Sequence, residues 1–182
     1  MVILINVRKM GDYMSVNRGK DFENVVRQCF EREPGVSIDR LHDQTTGYAG
    51  SSNICDFIVY KYPNIFYIEC KSVHGNRLSI HSNDPKKKYG AISNKQWEGL
   101  VEKSDICSPG IIAGVMCWWI DHDVTLFIPI ETLCICRNIK GQKSVAYDDF
   151  NTKSGDTDAI LVPGKKKRVF FDYDMKAFLS EF

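Results

Sequence analysis

The sequence predicts an α/β fold: a mixed β-sheet flanked by helices. Three observations predict it. An apolar stripe of helical period lies over residues 17–33. Two segments rich in β-branched and aromatic residues, 55–60 and 65–68, face each other across a turn. A near-continuous apolar run, 111–120, follows a second helical segment. Helical and strand-like segments in this order build one sheet covered by helices. A chain of 182 residues suits a single domain with a proper core. We divide it into an N-terminal arm or edge strand, 1–16, and one domain, 17–182.

Composition narrows the function classes. Lys and Arg number 24 against 23 Asp and Glu, a net charge of +1, so any nucleic-acid surface must come from local clustering. The seven cysteines are an odd number and several sit in apolar runs. With no secretory leader in view, they read as reduced, buried thiols of a cytoplasmic protein. Val2-Ile3-Leu4-Ile5 is far too short to span a bilayer, and no membrane partner is expected. His42, His74, His81 and His122 show no zinc spacing with the cysteines, and Cys134-x-Cys136 reads as core. There is no internal repeat and no low-complexity tract.

The elements follow in order. Asn17 is the expected N-cap of the first helix. Phe22, Val25, Val26, Cys29 and Phe30 form its stripe, and Pro34-Gly35 stops it. Val36–Leu41 is a short strand candidate. The segment 42–53, HDQTTGYAGSSN, is a polar, Gly-rich loop that enters the first hairpin strand, either a substrate-facing loop or a plain connection. Lys61-Tyr62-Pro63-Asn64 makes the hairpin turn. The segment 73–91 is a loop with a basic knot, Lys86-Lys87-Lys88. Ser93-Asn94-Lys95-Gln96 opens the second helix as a capping box, with Trp97, Leu100 and Val101 buried. Ile111–Ile120 reads as a central strand covered on both faces. Asp121-His122-Asp123 is a turn, Val124–Ile128 a strand, and Ile130–Leu133 a short helix or strand. Residues 137–158 look irregular. Lys165-Lys166-Lys167-Arg168 is a second basic knot, and Asp172–Phe182 is expected to form a terminal helix.

Chemistry concentrates in the hairpin. Folding the chain about 61–64 brings Asp56 level with Glu69. Directly opposed residues share a face, as do i, i+2 neighbours. Asp56, Glu69 and Lys71 then converge on one face, while Cys55, Phe57, Val59, Phe66, Ile68 and Cys70 form an apolar set on the other. Two acids and a lysine so placed suit metal-assisted phosphodiester cleavage. Mg²⁺ is a hard ion that takes one or two carboxylates and keeps several waters. It polarises a phosphoryl oxygen and acidifies a bound water, and a lysine beside it stabilises the developing charge. The competing reading is a surface salt bridge. Glu23, at the edge of the first helix's stripe, is either a first-turn acid favoured by the helix dipole or a third carboxylate aimed at the site. Gln96 either caps its helix or reaches the site or a phosphate. Lysines 86–88 and 165–167 with Arg168 are candidate DNA contacts, although most basic runs are simply solvated.

Asp56 followed by Glu69-Cys70-Lys71, behind a helix bearing Glu23, resembles the PD-(D/E)xK nuclease superfamily, whose fold is restriction-endonuclease-like. Asn17-Arg18-Gly19 ahead of Glu23, the Asp56 to Glu69 interval and Gln96 resemble one branch, the RecU-type Holliday junction resolvases. The Gly110 strand, the stretch Phe127-Ile128-x-x-Glu131-x-x-Leu133 and the aromatic C-terminal helix do so as well. The resemblance implies a Mg²⁺-dependent endonuclease of DNA recombination and repair, with Mn²⁺ able to substitute. Such enzymes cut four-way DNA junctions symmetrically as homodimers, because two opposed strands need two sites at fixed separation. It implies Asp56, Glu69 and the backbone carbonyl of Cys70 as metal ligands and Lys71 as the residue that positions or activates water. It also implies an outer-shell role for Glu23 and a supporting or substrate-contacting role for Gln96. The family's long insertion ahead of the metal aspartate is here reduced to 42–53, and Cys55 replaces a residue that is usually threonine. The short insertion bears on junction selectivity more than on cleavage chemistry, and fits a compact phage-type resolvase acting in a bacterial cell or phage-infected host. Two alternatives stand beside it: a restriction-like or repair nuclease of the same superfamily, and a non-catalytic branched-DNA-binding module.

Overall fold

The computed structural model describes residues 18–41, 53–80, 90–105, 109–150 and 159–182. The expectations for the arm 1–16, for Asn17, for the loop 42–52 and for Lys86, Lys87 and Lys88 lie outside these residues. The elements run α1 (Arg18–Glu31), β1 (Ser37–Arg40), β2 (Phe57–Lys61), β3 (Asn64–Val73), β4 (Arg77–Ser79), α2 (Asn94–Asp105), β5 (Ile111–Trp119), β6 (Val124–Pro129), α3 (Ile130–Cys134), β7 (Ser144–Ala146), β8 (Ile160–Leu161), β9 (Gly164–Lys166), β10 (Phe171–Tyr173) and α4 (Met175–Leu179).

Six strands form one mixed sheet in the order β1-β2-β3-β5-β6-β8. Only the β3–β5 pair is parallel; the others are antiparallel. A parallel pair needs a crossover, and here the crossover carries α2. Two smaller sheets are two-stranded: β9–β10, a hairpin, and β4–β7, which pairs segments distant in sequence and buries Leu78 and Val145 in the α2-side core. A mixed sheet flanked by helices is what the sequence predicts, and the arrangement is consistent with a restriction-endonuclease-like fold.

Each face of the sheet has its own core. On one face α1 and α4 cover Phe57, Val59, Phe66, Ile68, Cys70, Met116, Trp118 and Phe127. Phe22 of α1 lies 5.8 Å from Trp118, and Phe178 of α4 packs edge-on to Phe127 at 5.5 Å. On the other face α2 and α3 cover Ala113, Val115, Cys117, Trp119 and Ile128. β5 contributes to both, which explains its unbroken apolar run. α2 approaches the chain closely at Gly99, where a Cβ would collide with the Ile54 side chain just ahead of Asp56.

Several local expectations need correction. The segment after 134 is more regular than its polarity suggests. Residues 135–139 continue α3 as a π-turn, β7 follows, and 147–149 form a 3₁₀ turn. The terminal helix is shorter: Phe171–Tyr173 pairs with β9, and the helix starts only after Asp174, whose carboxylate accepts from the Ala177 amide at 2.9 Å. Tyr173 is buried and its hydroxyl bonds Thr125 at 2.7 Å, a tertiary contact that holds it in the strand. Ile130–Cys134 is a helix. Cys55 joins the α2-side core rather than the face of Phe57, because the regular strand begins at Phe57 and its alternation does not extend back. The described cysteines 29, 55, 70, 117, 134 and 136 are all free thiols. No helix of the described residues is long and apolar enough to cross a membrane.

Candidate active site

The hairpin forms in the expected register. Phe57 opposes Ile68 and Lys61 opposes Asn64, so Asp56 falls level with Glu69. Asp56 sits one residue before the ladder and is pinned there from three sides. Its amide donates to the Ile68 carbonyl at 3.1 Å, and its carbonyl accepts from the Leu41 amide at 2.9 Å. Its Oδ2 accepts from the Cys70 amide at 2.8 Å. That last bond has a further consequence. In an extended strand the N–H and C=O of one residue point to the same edge, so the Cys70 carbonyl is directed to the Asp56 side of β3.

Glu69 and Lys71, two apart on β3, share a face. Lys71 Nζ forms an ion pair with Glu69 Oε1. Gln96 Nε2 donates to the same oxygen at 2.6 Å. The second oxygen, Oε2, is buried without a hydrogen-bond partner, and Glu69 as a whole is 1 % exposed. The site face is therefore no solvated surface. The same face carries Tyr67 and Ile58, which pack into the α2-side core. The surface salt-bridge reading is incompatible with that burial.

Gln96 resolves its two expected roles by serving both. At the start of α2 its Oε1 accepts from the Ser93 amide at 2.9 Å, and its own amide donates to Ser93 Oγ at 3.3 Å. This is the reciprocal capping box. Because the Ser93 N–H can only donate, it fixes the orientation of the Gln96 side-chain amide, with the NH₂ turned toward Glu69.

Glu23 on α1 is half-buried and bonded to Arg40 at 2.7 Å; Arg40 also reaches Asn24 Oδ1 at 3.2 Å. Arg40 belongs to no motif that the sequence shows. The only signal was its i+2 spacing from Ile38 on β1, which puts it on the α1 side. Contacts across sixteen or more residues of chain are not visible in a local pattern.

The electrostatics follow from burial. The Glu69 carboxyl is pushed up to about 8 by desolvation and then by the Asp56 charge, against the pull of Lys71. Asp56 is raised by burial, opposed by the Cys70 amide, then by Lys71 and Arg40, and by the Glu69 carboxyl beside it, which at its raised pKa can share a proton with Asp56 until a cation replaces it. Glu23 is raised by burial and by Asp56, with Arg40 and Lys71 opposing. Burial by itself lowers Lys71, but the Glu69 carboxylate and then Asp56 more than offset it and hold the ammonium charged. Cys55 is pushed up to about 12 by burial and the two carboxylates, so it remains a neutral thiol.

The donors fit a small hard cation in one specific way. Among the described residues no three His, Cys, Asp or Glu side chains form a ready cage. Asp56 and Glu69 stand level across the hairpin, the Cys70 carbonyl faces the Asp56 edge of β3 by strand geometry, and one oxygen of Glu69 is desolvated and has no donor facing it. That set matches Mg²⁺, which takes few protein ligands and retains water.

The second basic knot lies apart from this centre. Lys165 and Lys166 are on β9. Lys166 pairs with Asp123, and Lys167 pairs with Asp172 at 3.4 Å, so half of the knot is neutralised. Among the described residues Lys165 and Arg168 are in no ion pair.

No family model matches the chain, and no curated protein does. Among solved structures the chain is similar to Hjc, a Holliday junction resolvase from the archaeal hyperthermophile Archaeoglobus fulgidus. The two share 19 % identity with a TM-score of 0.42, over 63 % of this chain and 78 % of that one.

Proposed function

We propose that the protein is a divalent-metal-dependent endodeoxyribonuclease acting on branched DNA, with four-way junctions as substrate and a homodimer as the working form. One observation carries the reading: Glu69 is buried with Oε1 held by Lys71 and Gln96 and with Oε2 left unpartnered. A buried acceptor without a partner costs about 1–3 kcal/mol, and a cation between Glu69 and Asp56 would supply what is missing. The motif resemblance described above supports the junction as substrate.

Asp56, Glu69 and the Cys70 carbonyl would hold the metal. When bound, Mg²⁺ supplies Lewis acidity toward a phosphoryl oxygen and lowers the pKa of a water. The protein residues do the rest. Gln96 and Lys71 grip Oε1 so that Oε2 is the oxygen presented. Lys71 stays positive beside the attack path, where it orients the water and stabilises charge that develops on phosphorus oxygens. The Cys70 amide holds the Asp56 side chain in place. Arg40 keeps Glu23 oriented toward the same centre, as an outer-shell acid.

The test is a labelled four-way junction and a linear duplex of the same sequence, each with and without Mg²⁺. Paired symmetric nicks in the junction alone, only with metal, are expected. Sequence-directed cuts in plain duplex would move the protein to a restriction-like activity. Tight, salt-sensitive junction binding with no metal-dependent cutting would leave only a binding module.

A further inference from the structure

Beyond the cleavage centre, the β9–β10 hairpin ends in a two-residue tip. The Lys167 amide donates to the Phe170 carbonyl at 2.7 Å, which leaves Arg168 and Val169 projecting between the strands. The cationic residues around the tip are not alike. Lys166 pairs with Asp123, which closes the turn after β5. Lys167 pairs with Asp172 at 3.4 Å, and Arg32, just past α1, holds the same carboxylate at 2.6 Å. Lys165 stands directly across from Asp172 and lines a groove with Arg32, Glu33 and Asp174. Three of the four therefore face acids and tie the hairpin to the body of the protein. Arg168 is exposed and, among the described residues, in no ion pair, and Val169 beside it is 47 % exposed.

We propose that this tip engages the branch point of the DNA, with Val169 covering an exposed base-pair face and Arg168 on an adjacent phosphate. The inference rests on the nuclease activity proposed above. Three features carry it. The first is position. β3 runs from Glu69 through Lys71 to Val73, which is level with Trp119 at the end of β5. Asp123 lies in the turn just beyond, so its pair with Lys166 fixes the hairpin at the site's end of the sheet. Phe170, next to the tip, packs on Trp118 at 5.4 Å, and Trp118 packs on Phe22, the residue before Glu23. The second is preorganisation. The ion pairs and the Phe170–Trp118 contact set the tip in place, so little conformational entropy is lost when it binds. The third is chemistry. In continuous duplex each base pair is stacked on both sides, and an apolar side chain must unstack a step to reach a face. At a branch point the stack is interrupted and much of that cost is absent. An apolar residue beside an unpaired arginine thus matches interrupted DNA better than a continuous duplex.

The experiment uses the full chain carrying Glu69→Gln as the parent, so that binding is read without cutting. Affinity is measured for a four-way junction and for a linear duplex of the same sequence, as a function of salt. Adding Val169→Ser is expected to weaken junction binding by about 4- to 15-fold, the worth of one or two methyl groups buried on a base, and to leave duplex binding at the parent value. Adding Arg168→Ala lowers the salt slope on the junction by about 0.9, whereas Arg168→Lys keeps it. 2-Aminopurine placed at the branch point reports the contact directly: its fluorescence changes when the parent binds and changes less with Val169→Ser. Tyr62→Ser, at a site 96 % exposed on the β2–β3 turn at the other end of β3, keeps the parent affinity. A parent that binds the junction, with Val169→Ser and Arg168→Ala indistinguishable from it, overturns the tip alone. So do equal losses on junction and duplex from Val169→Ser, or equal losses from Val169→Ser and Tyr62→Ser. A parent that binds no DNA overturns the tip and the nuclease reading together.

Discussion

The two faces of β3 each hold a fully buried residue, Ile68 on one and Glu69 on the other, and are chemically opposite. Phe66, Ile68 and Cys70 point into the aromatic core under α1 and α4, where each contact is apolar and complete. Tyr67, Glu69 and Lys71 point to the α2 side, where Glu69 is 1 % exposed yet one of its oxygens has no partner. The difference teaches that depth of burial does not identify structural residues. The apolar face stabilises the fold by removing hydrocarbon from water. The charged face costs stability, because a carboxylate taken out of water is only partly compensated by its lysine and amide. Such a face persists in a folded protein when the cost supports function.

The largest effects should break the comparison at the charged face. Glu69→Gln and Lys71→Ala are each expected to lower metal-dependent cutting by on the order of 10²-fold or more, read in single-turnover cleavage assays with the fold checked by circular dichroism. Full activity in either variant would remove the site assignment. The double change Glu69→Met with Lys71→Met should abolish cutting while leaving the urea midpoint unchanged or higher, since replacing a buried ion pair by apolar side chains is often neutral or stabilising.

On the apolar face the outcome reverses. Ile68→Ala should cost about 2–5 kcal/mol by urea unfolding. Equal stability losses from Ile68→Ala and the double methionine variant would erase the distinction between the faces.

The pH dependence sharpens it further. Folding raises the Glu69 pKa from the ordinary 4.5 to about 8. Between these values the folded, metal-free protein binds more protons than the unfolded chain. Its stability from this group is therefore present at low pH, falls as pH rises through that window, and levels off above about 8. Metal uptake must displace the proton, so the rise in Tm on adding Mg²⁺ should grow with pH over the same interval. Thermal melts from pH 5 to 9, with and without Mg²⁺, check both slopes. A metal-free Tm that climbs through this window would show Glu69 ionised in the fold.

Smaller effects test the supports of each face. Gln96→Leu should weaken metal affinity or activity by about 10- to 100-fold, as loss of a residue that orients a ligand does. Calorimetric titration of Mg²⁺ separates that loss from simple fraying of α2. Asp174→Ala, which removes the N-cap of α4, should cost about 1 kcal/mol with cutting unchanged.

Much of this was legible in the chain. The Phe22-to-Phe30 stripe gave α1, and hairpin register followed from the side-chain alternation around Tyr62-Pro63, since a one-residue slip would turn Phe57 and Ile68 outward. Ser93-x-x-Gln96 gave the start of α2. The misses have a common cause. Tyr173 reads as helical by spacing, but its hydroxyl finds Thr125 on another strand. Arg40 reads as an ordinary polar residue of β1, but it faces Glu23. Asp121-His122-Asp123 reads as a plain turn, but its two acids reach His74 and Lys166.

Local pattern by itself determined the fold class, the hairpin and the grouping of Asp56, Glu69 and Lys71, because side-chain period and turn chemistry act between near neighbours in sequence. Only the tertiary structure decided that Glu69 is buried beside α2, that Gln96 and Lys71 take the same oxygen of Glu69, and that Arg40 holds Glu23. Those outcomes depend on desolvation and on contacts between distant segments, which no local periodicity encodes.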